Sequence, residues 1–382
     1  MSNNYSLNET HRLAVPQLDV PNRLLLGPGP SNTPPRILQA LSLPTIGHLD
    51  PRFIYLMNEI QELLRYAWQT ENKLTVPVSG TGSAGMEAAL ANVIEPGDVV
   101  VIGINGYFGL RLADMAGRYG ADVRIIQKPW GQVFSFAEIQ AAMTEHQPSV
   151  LALVHAETST GARQPLDGVG ELCRANDCLL LIDTVTSLGG VPLLLDEWQV
   201  DVAYSGTQKC LNCPPGLAPL TLGERAMHKL KTRRTQVANW YLDMSLIANY
   251  WGESRTYHHT APINMNYALR EALRLVAEEG LAARWARHQA TAELFWNELA
   301  GLGLVCHVEK EYRLPSLTTV CIPEGVDGKA VTGRLLNEFN IEIAGGLGEL
   351  AGKVWRIGLM GANSKPENVY RLLDALRRVL GR

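Results

Sequence analysis

The chain has 382 residues, enough for one large unit and a smaller one, and its 46% hydrophobic and 19% charged residues exclude a predominantly disordered or fibrous polymer. The formal net charge is −4 and no block of like charge runs more than a few residues, which argues against nucleic acid and membrane surfaces as partners and favours small molecules. Six cysteines in a chain of this length are too sparse for a disulfide scaffold, and no segment approaches the roughly 20 apolar residues of a membrane helix.

Residues 1–22 are polar, with two prolines and no apolar stretch of signal-peptide length, and read as an N-terminal arm. The terminus Val379-Leu380-Gly381-Arg382 matches no peroxisomal address, so a cytoplasmic location is expected. Gly27-Pro28-Gly29-Pro30 forms a rigid, turn-rich entry to the folded part. From there strand-length apolar runs alternate with helical patterns. Strands are expected over 73–78, 98–102, 123–126, 150–154, 179–183 and 202–204, and helices over 84–94, 109–119, 135–145 and 167–176. These strands are apolar throughout rather than at every second position, which implies cover on both faces and hence a mostly parallel sheet in a three-layer α/β unit. Two long helices follow, over 264–279 and 282–299, broken at Gly280, a residue suited to a C-cap. The remainder reads as a smaller α+β unit with strands over 304–308, 316–322, 341–344 and 354–359 and helices over 329–339 and 366–380. The expected division is an arm over 1–22, a large unit over 23–279 and a small C-terminal unit over 280–382.

Two positions carry chemistry in this frame. Asp183 ends the apolar run Leu179-Leu180-Leu181-Ile182, and Lys209 closes Ser205-Gly206-Thr207-Gln208-Lys209 just past the next run. Residues beyond the carboxyl ends of strands in an α/β sheet gather in one crevice, so the acid and the amine can face one ligand. A pyridoxal phosphate enzyme needs such a pair: a lysine to form a Schiff base with the cofactor aldehyde, and a carboxylate to keep the pyridine nitrogen protonated. Ser79-Gly80-Thr81-Gly82-Ser83-Ala84-Gly85 lies between an expected strand and helix, where glycines and free helix amides suit a phosphate; it is neither a P-loop nor a full dinucleotide fingerprint. Cys210-Leu211-Asn212-Cys213 has close spacing but no second pair or histidine to complete a zinc set, so no metal is expected. The two cysteines read as packing residues, with redox modulation of the adjacent lysine as the alternative.

Six motifs in order carry a resemblance. Gly27-Pro28-Gly29-Pro30-Ser31-Asn32, Ser79-Gly80-Thr81-Gly82-Ser83, Ser159-Thr160-Gly161, Asp183-Thr184-Val185, Ser205-Gly206-Thr207-Gln208-Lys209 and Tyr257-His258-His259-Thr260 together resemble the alanine–glyoxylate / serine–pyruvate aminotransferases, class V enzymes of pyridoxal phosphate fold type I. The likeness runs from about residue 23 to the C-terminus.

The resemblance implies Lys209 as the Schiff-base lysine and proton carrier and Asp183 as partner of the ring nitrogen, with Val185 beside it in the cofactor site. It implies Phe108 as the aromatic stacked on the ring, where tryptophan is usual and the smaller face weakens the stack. Read without the family, Phe108 is a core aromatic. Thr158 matches a hydroxyl that contacts the ring oxygen. Gln208 and the backbone of Gly82 and Ser83 would hold the phosphate, joined by Tyr257 and Thr260 from the other subunit of a homodimer. The residue-level reading of Tyr257-His258-His259-Thr260 is a polar loop whose adjacent histidines point to opposite sides, which disfavours a metal. Arg356 matches the substrate-carboxylate arginine, Gly345-Gly346-Leu347-Gly348 is a candidate closing segment, and His48 is placed near the entrance. The implied activity is ping-pong transfer from alanine or serine to glyoxylate or pyruvate. Rival readings are another class V reaction (aspartate or aminoethylphosphonate transamination, or cysteine desulfuration, which Cys306 and Cys321 in expected strands disfavour) or a non-catalytic α/β nucleotide-binding protein.

Overall fold

The computed structural model describes residues 7–381; the first six residues of the expected arm and Arg382 of the terminal tetrapeptide lie outside the described residues. Strand β1 (Leu24–Leu25) leads to helices α1 (Pro35–Leu41) and α2 (Pro51–Trp68), which no sequence expectation covers. Helix α2 is locally well specified: Asp50 accepts a hydrogen bond from the Arg52 amide, Pro51 occupies the first turn, and Phe53, Met57, Ile60, Leu64 and Trp68 recur at helical spacing on its buried face. It ends where Gln69 turns left-handed, with φ 54°.

The alternation then runs β2 (Leu74–Ser79), α3 (Gly82–Val93), β3 (Val99–Ile104), α4 (Tyr107–Arg118), β4 (Asp122–Gln127), α5 (Phe136–His146) and β5 (Val150–Val154). A short hairpin of β6 (Ala156–Glu157) and β7 (Ala162–Arg163) precedes α6 (Val169–Ala175), β8 (Leu179–Asp183), β9 (Val202–Tyr204) and β10 (Leu217–Leu222). Seven of these strands form one sheet in the order β2-β10-β9-β8-β5-β3-β4, and all of its pairings are parallel except those of β10. Every residue of β5 and β8 is buried, as their unbroken apolar runs require of strands covered on both faces. The α/β fold with a mostly parallel sheet is the expected one. It has one strand more than expected: β10 inserts antiparallel between β9 and β2, closing the gap that a purely parallel series would leave.

Helices α7 (Glu224–Lys231) and α8 (Met244–Trp251) come before the long pair α9 (Ile263–Glu279) and α10 (Leu281–Gly301), which hinge at Gly280 with φ 79°. Beyond them β11 (Leu317–Cys321), α11 (Gly328–Phe339), β12 (Ile341–Glu342), β13 (Ala344–Gly345), β14 (Val354–Gly358) and α12 (Pro366–Leu380) surround a second apolar cluster that includes Phe295, Trp296, Trp355, Leu372 and Leu373. Leu26 belongs to this cluster, and β1 pairs with β12, so the entry segment is tied to the C-terminal part.

Two expected strands change here. Over 304–308 there is no strand, only a single bridge of Cys306 to Val320, so Cys306 does not lie in a strand as the sequence pattern implies. The expected strand over 341–344 splits in two, because β12 pairs with β1 whereas β13 pairs with β14; a run that changes partner cannot remain one strand.

Candidate active site

The parallel strands deliver their carboxyl ends to one side of the sheet, where a 170 Å³ cavity is lined by Gly82, Ser83, Phe108, Asp183, Val185, Gln208 and Lys209. All seven come from the expected set. A larger cleft of 790 Å³ lies at the opposite strand ends, against Leu74, Asp201 and Leu222, where Arg225 is paired with Asp201 at 2.8 Å. Size does not decide between them: the smaller cavity sits at the carboxyl ends, where α/β sheets bind ligands, and it holds the uncompensated amine.

Asp183 is 2% exposed and fully engaged. Its Oδ2 accepts a hydrogen bond from the Tyr204 hydroxyl at 2.7 Å and its Oδ1 from the Val185 amide at 2.8 Å. Burial raises its pKa to about 6, against the opposing effect of the Tyr204 hydrogen bond. Tyr204 is its cross-strand partner in the β8–β9 pair, so the register of the sheet itself delivers the hydroxyl. Trp68 of α2 braces the next residue by donating to Thr184 Oγ1 at 3.2 Å.

The Lys209 amine points back at the entry segment and donates to the carbonyl of Pro28. Gly29 lies directly against it with φ 105°; a Cβ there would stand 2.8 Å from Nζ and 2.6 Å from Cδ, so both the backbone conformation and the space demand glycine. Ser31 fixes the lysine backbone, its hydroxyl donating to the Lys209 carbonyl at 2.7 Å. Burial, and next the nearby charge of Arg356, lower the lysine pKa to about 8, which makes the neutral, nucleophilic amine abundant near physiological pH.

Gly82 and Ser83 open helix α3, so their amides face the cavity unpaired within the helix. A Cβ on Gly82 would approach Val185 Cγ2 to 3.3 Å, so the turn packs closely on the Asp183-Thr184-Val185 loop. The Gln208 Oε1 atom is buried without a hydrogen-bond partner, an amide end left for a ligand to satisfy. Phe108 stands at the start of α4, its amide donating to Glu157 Oε2 at 3.1 Å. Thr158 is buried, shares a hydrogen bond with the Thr186 hydroxyl and does not line the cavity.

Four expected residues do not line the cavity: Thr158, Arg356, Tyr257 and Thr260. Arg356 lies on β14, its Nε donating to the Gly345 carbonyl at 2.9 Å, close enough for its charge to act on both Lys209 and Glu157. Tyr257 is 57% exposed with its ring 5.1 Å from that of His48, and Thr260 is exposed. The two histidines between them converge rather than diverge: a bend at His259 brings the Nδ1 atoms of His258 and His259 to 2.7 Å. His259 also meets Ser79 at the end of β2, with Nε2 and Oγ 2.8 Å apart. Among the described residues there is no group of three His, Cys, Asp or Glu able to hold a metal ion.

Three contributors escape the sequence motifs. Tyr204 reads as an apolar strand residue, and only its register opposite Asp183 reveals its role. Glu157 is fully buried and accepts from the Phe108 amide and from the Ser159 amide and hydroxyl, pinning the start of α4. Arg111 lines the cavity from α4; the signal for it was its position three residues after Phe108 on one helix. Cys210 and Cys213 are buried free thiols, and burial raises the pKa of both, that of Cys213 to about 12, the opposite of what a reactive thiol needs.

Residues 23–372 match the family described as aminotransferase class-V. The chain belongs to this family. It is 46% identical over 367 residues to alanine–glyoxylate aminotransferase of Callithrix jacchus, covering 95% of this chain and 89% of the relative. It is 42% identical over 382 residues to (S)-ureidoglycine–glyoxylate transaminase of Bacillus subtilis (strain 168), covering 95% and 92%. The crystal structure of alanine–glyoxylate aminotransferase from Nostoc sp. superimposes with a TM-score of 0.97 at 66% identity, over 98% of this chain and 100% of that one. Like those relatives, this class-V aminotransferase is an amino-transferring enzyme, and the cavity at its strand ends is where that chemistry is to be sought.

Proposed function

We propose that this class-V aminotransferase carries pyridoxal phosphate in the 170 Å³ cavity and moves the amino group of alanine or serine to glyoxylate or pyruvate by ping-pong transfer, as a homodimer. The observation that carries this reading is the convergence of Lys209, with its lowered pKa, and the buried Asp183 on one small cavity that has helix amides at its other end. The residues fit the cofactor: the α3 amides and the NH2 end of the Gln208 side chain can donate to a phosphate, and the cavity is below the ~300 Å³ of sites for larger ligands. When bound, the cofactor supplies an aldehyde that takes the donor's nitrogen and a cationic ring that takes up the electron pair left when Cα loses its proton.

The chain supplies the rest. Lys209 Nζ holds and moves the proton at the substrate Cα, Asp183 balances the ring nitrogen, and Phe108 covers one face of the ring. Thr158 offers a hydroxyl to the ring oxygen. Arg356 fixes the substrate carboxylate through two parallel hydrogen bonds, which sets the direction of the Cα–H bond. Tyr257 and Thr260, exposed on the isolated chain, complete the phosphate site of a second copy. No described helix is long and apolar enough to cross a membrane; a cytoplasmic location, and a division into an arm (1–22), a large unit (23–279) and a small unit (280–382), belong to the same proposal.

Two outcomes follow for solution work. The rate at which the cofactor-free chain captures pyridoxal phosphate is expected to rise from pH 7 and level off above about pH 8, because the fraction of neutral Lys209 amine saturates there; stopped-flow absorbance showing an unabated rise to pH 10 would mean an ordinary lysine. Arg356→Gln is expected to raise KM for the amino donor roughly ten- to a hundredfold, because a charge-assisted pair is lost; an unchanged KM places the carboxylate elsewhere.

The direct test compares alanine, serine, aspartate and (S)-ureidoglycine as donors to glyoxylate and pyruvate with the cofactor-loaded protein. Turnover with alanine or serine is expected. A protein that binds the cofactor yet transfers from neither donor refutes the assignment. Turnover with ureidoglycine alone supports the second reading, which the Bacillus relative brings in.

A further inference from the structure

We propose that Arg111 supplies the positive charge of the cofactor-phosphate site, an inference that rests on the pyridoxal phosphate reading above. The guanidinium enters the cavity from the second turn of α4. Its Nη1 donates to Ser83 Oγ at 3.0 Å, which ties it to the residue whose backbone opens helix α3. Its Cζ lies over the Phe108 ring, 5.0 Å from the centroid, and 5.3 Å from that of Tyr107.

Charge accounting singles this residue out. A phosphate monoester carries about −1.5 to −2 near neutral pH. The amino end of α3 offsets roughly half a charge, and Gly82, Ser83 and Gln208 are neutral. Lys209 is committed to the aldehyde at the other end of the ligand. Arg111 is the one remaining cation on the cavity wall, and no ion pair to a carboxylate engages it among the described residues.

Its donor geometry leaves capacity to spare. A guanidinium has five N–H groups in a planar fork; one goes to Ser83, and its contact with the Phe108 ring consumes no hydrogen-bond donor. The same side chain therefore packs on Phe108 and is tied to Ser83 at the α3 terminus. Phosphate binding and ring stacking are coupled through one residue.

The alternative is that Arg111 only steadies Phe108, and the two roles separate cleanly by ligand. Binding of pyridoxal phosphate and of pyridoxal, which lacks the phosphate, is measured by absorbance titration on the full-length chain stripped of cofactor, with circular dichroism as the folding check. Arg111→Gln is expected to weaken pyridoxal phosphate roughly ten- to a hundredfold while changing pyridoxal by no more than a few-fold. It is also expected to flatten the salt dependence of pyridoxal phosphate binding. Equal weakening of both ligands, or unchanged pyridoxal phosphate affinity, overturns the proposal. If the glutamine variant does not fold, Arg111→Lys decides: retention of pyridoxal phosphate affinity and of its salt dependence supports a role for the charge, and parallel loss of both ligands supports the clamp. A wild-type chain that captures neither ligand defeats the cofactor reading itself, which is a distinct result.

Discussion

Lys209→Ala is expected to abolish measurable amino transfer, a loss of at least ~10³-fold in kcat, because in the proposed mechanism one amine both anchors the cofactor aldehyde and carries the proton. Among the described residues no other lysine lines the cavity, so no neighbour there can substitute. The measurement is glyoxylate-dependent keto-acid production together with the visible absorption of the bound cofactor; retention of both would refute the assignment. Misfolding is not the expected cause of the loss. The folded-state pKa of Lys209 is about 8 against 10.5 for a free lysine, so the unfolded chain binds more protons between those values and native stability rises with pH across that window. Below pH 8 the buried amine must be protonated at a cost, so its removal does not weaken the fold through charge at neutral pH. Partial rescue by a small primary amine added to the buffer is the companion result.

Asp183→Asn is expected to lower kcat by roughly 10²–10⁴-fold with the cofactor still bound, by analogy with other buried carboxylates whose charge is removed while their shape is kept. Asparagine can still accept from the Val185 amide through Oδ1, and its NH2 end can donate to the Tyr204 hydroxyl once that group turns from donor to acceptor, so the loop keeps its position. What it lacks is the negative charge that a protonated ring nitrogen requires. Burial holds the carboxyl at about 6, and a cationic ring placed against it shifts that value down, so the acid and the ring stabilise one another's charged forms. A pH titration of the cofactor absorption should show the ring nitrogen losing its proton at lower pH in the variant. Activity within threefold of wild type would remove Asp183 from the mechanism.

Much of the frame was legible in the chain. Asp183 and Lys209 follow successive apolar runs, and runs covered on both faces pack as parallel neighbours whose carboxyl ends coincide; β8 and β9 pair in that way. The glycine-rich turn at Gly82 and the C-cap at Gly280 were equally readable, because both depend on local backbone demands. Helix α2 could also have been found, from Asp50, Pro51 and its apolar stripe, since those signals are local too.

Local pattern determined the element types, the parallel sheet and the positions of the amine, the acid and the glycine-rich turn, because each is written in a run of neighbouring residues. Tertiary structure alone decided that β10 inserts antiparallel, that the expected strand over 341–344 splits between two partners, and that Cys306 lies outside any strand. It also decided what surrounds the reacting groups: Tyr204 on Asp183, the Pro28 carbonyl on Lys209, Glu157 under Phe108 and Arg111 on Ser83. Each of those contacts joins residues 21 to 181 positions apart, and spacing along the chain carries no information about which distant side chain folding will bring within hydrogen-bond distance.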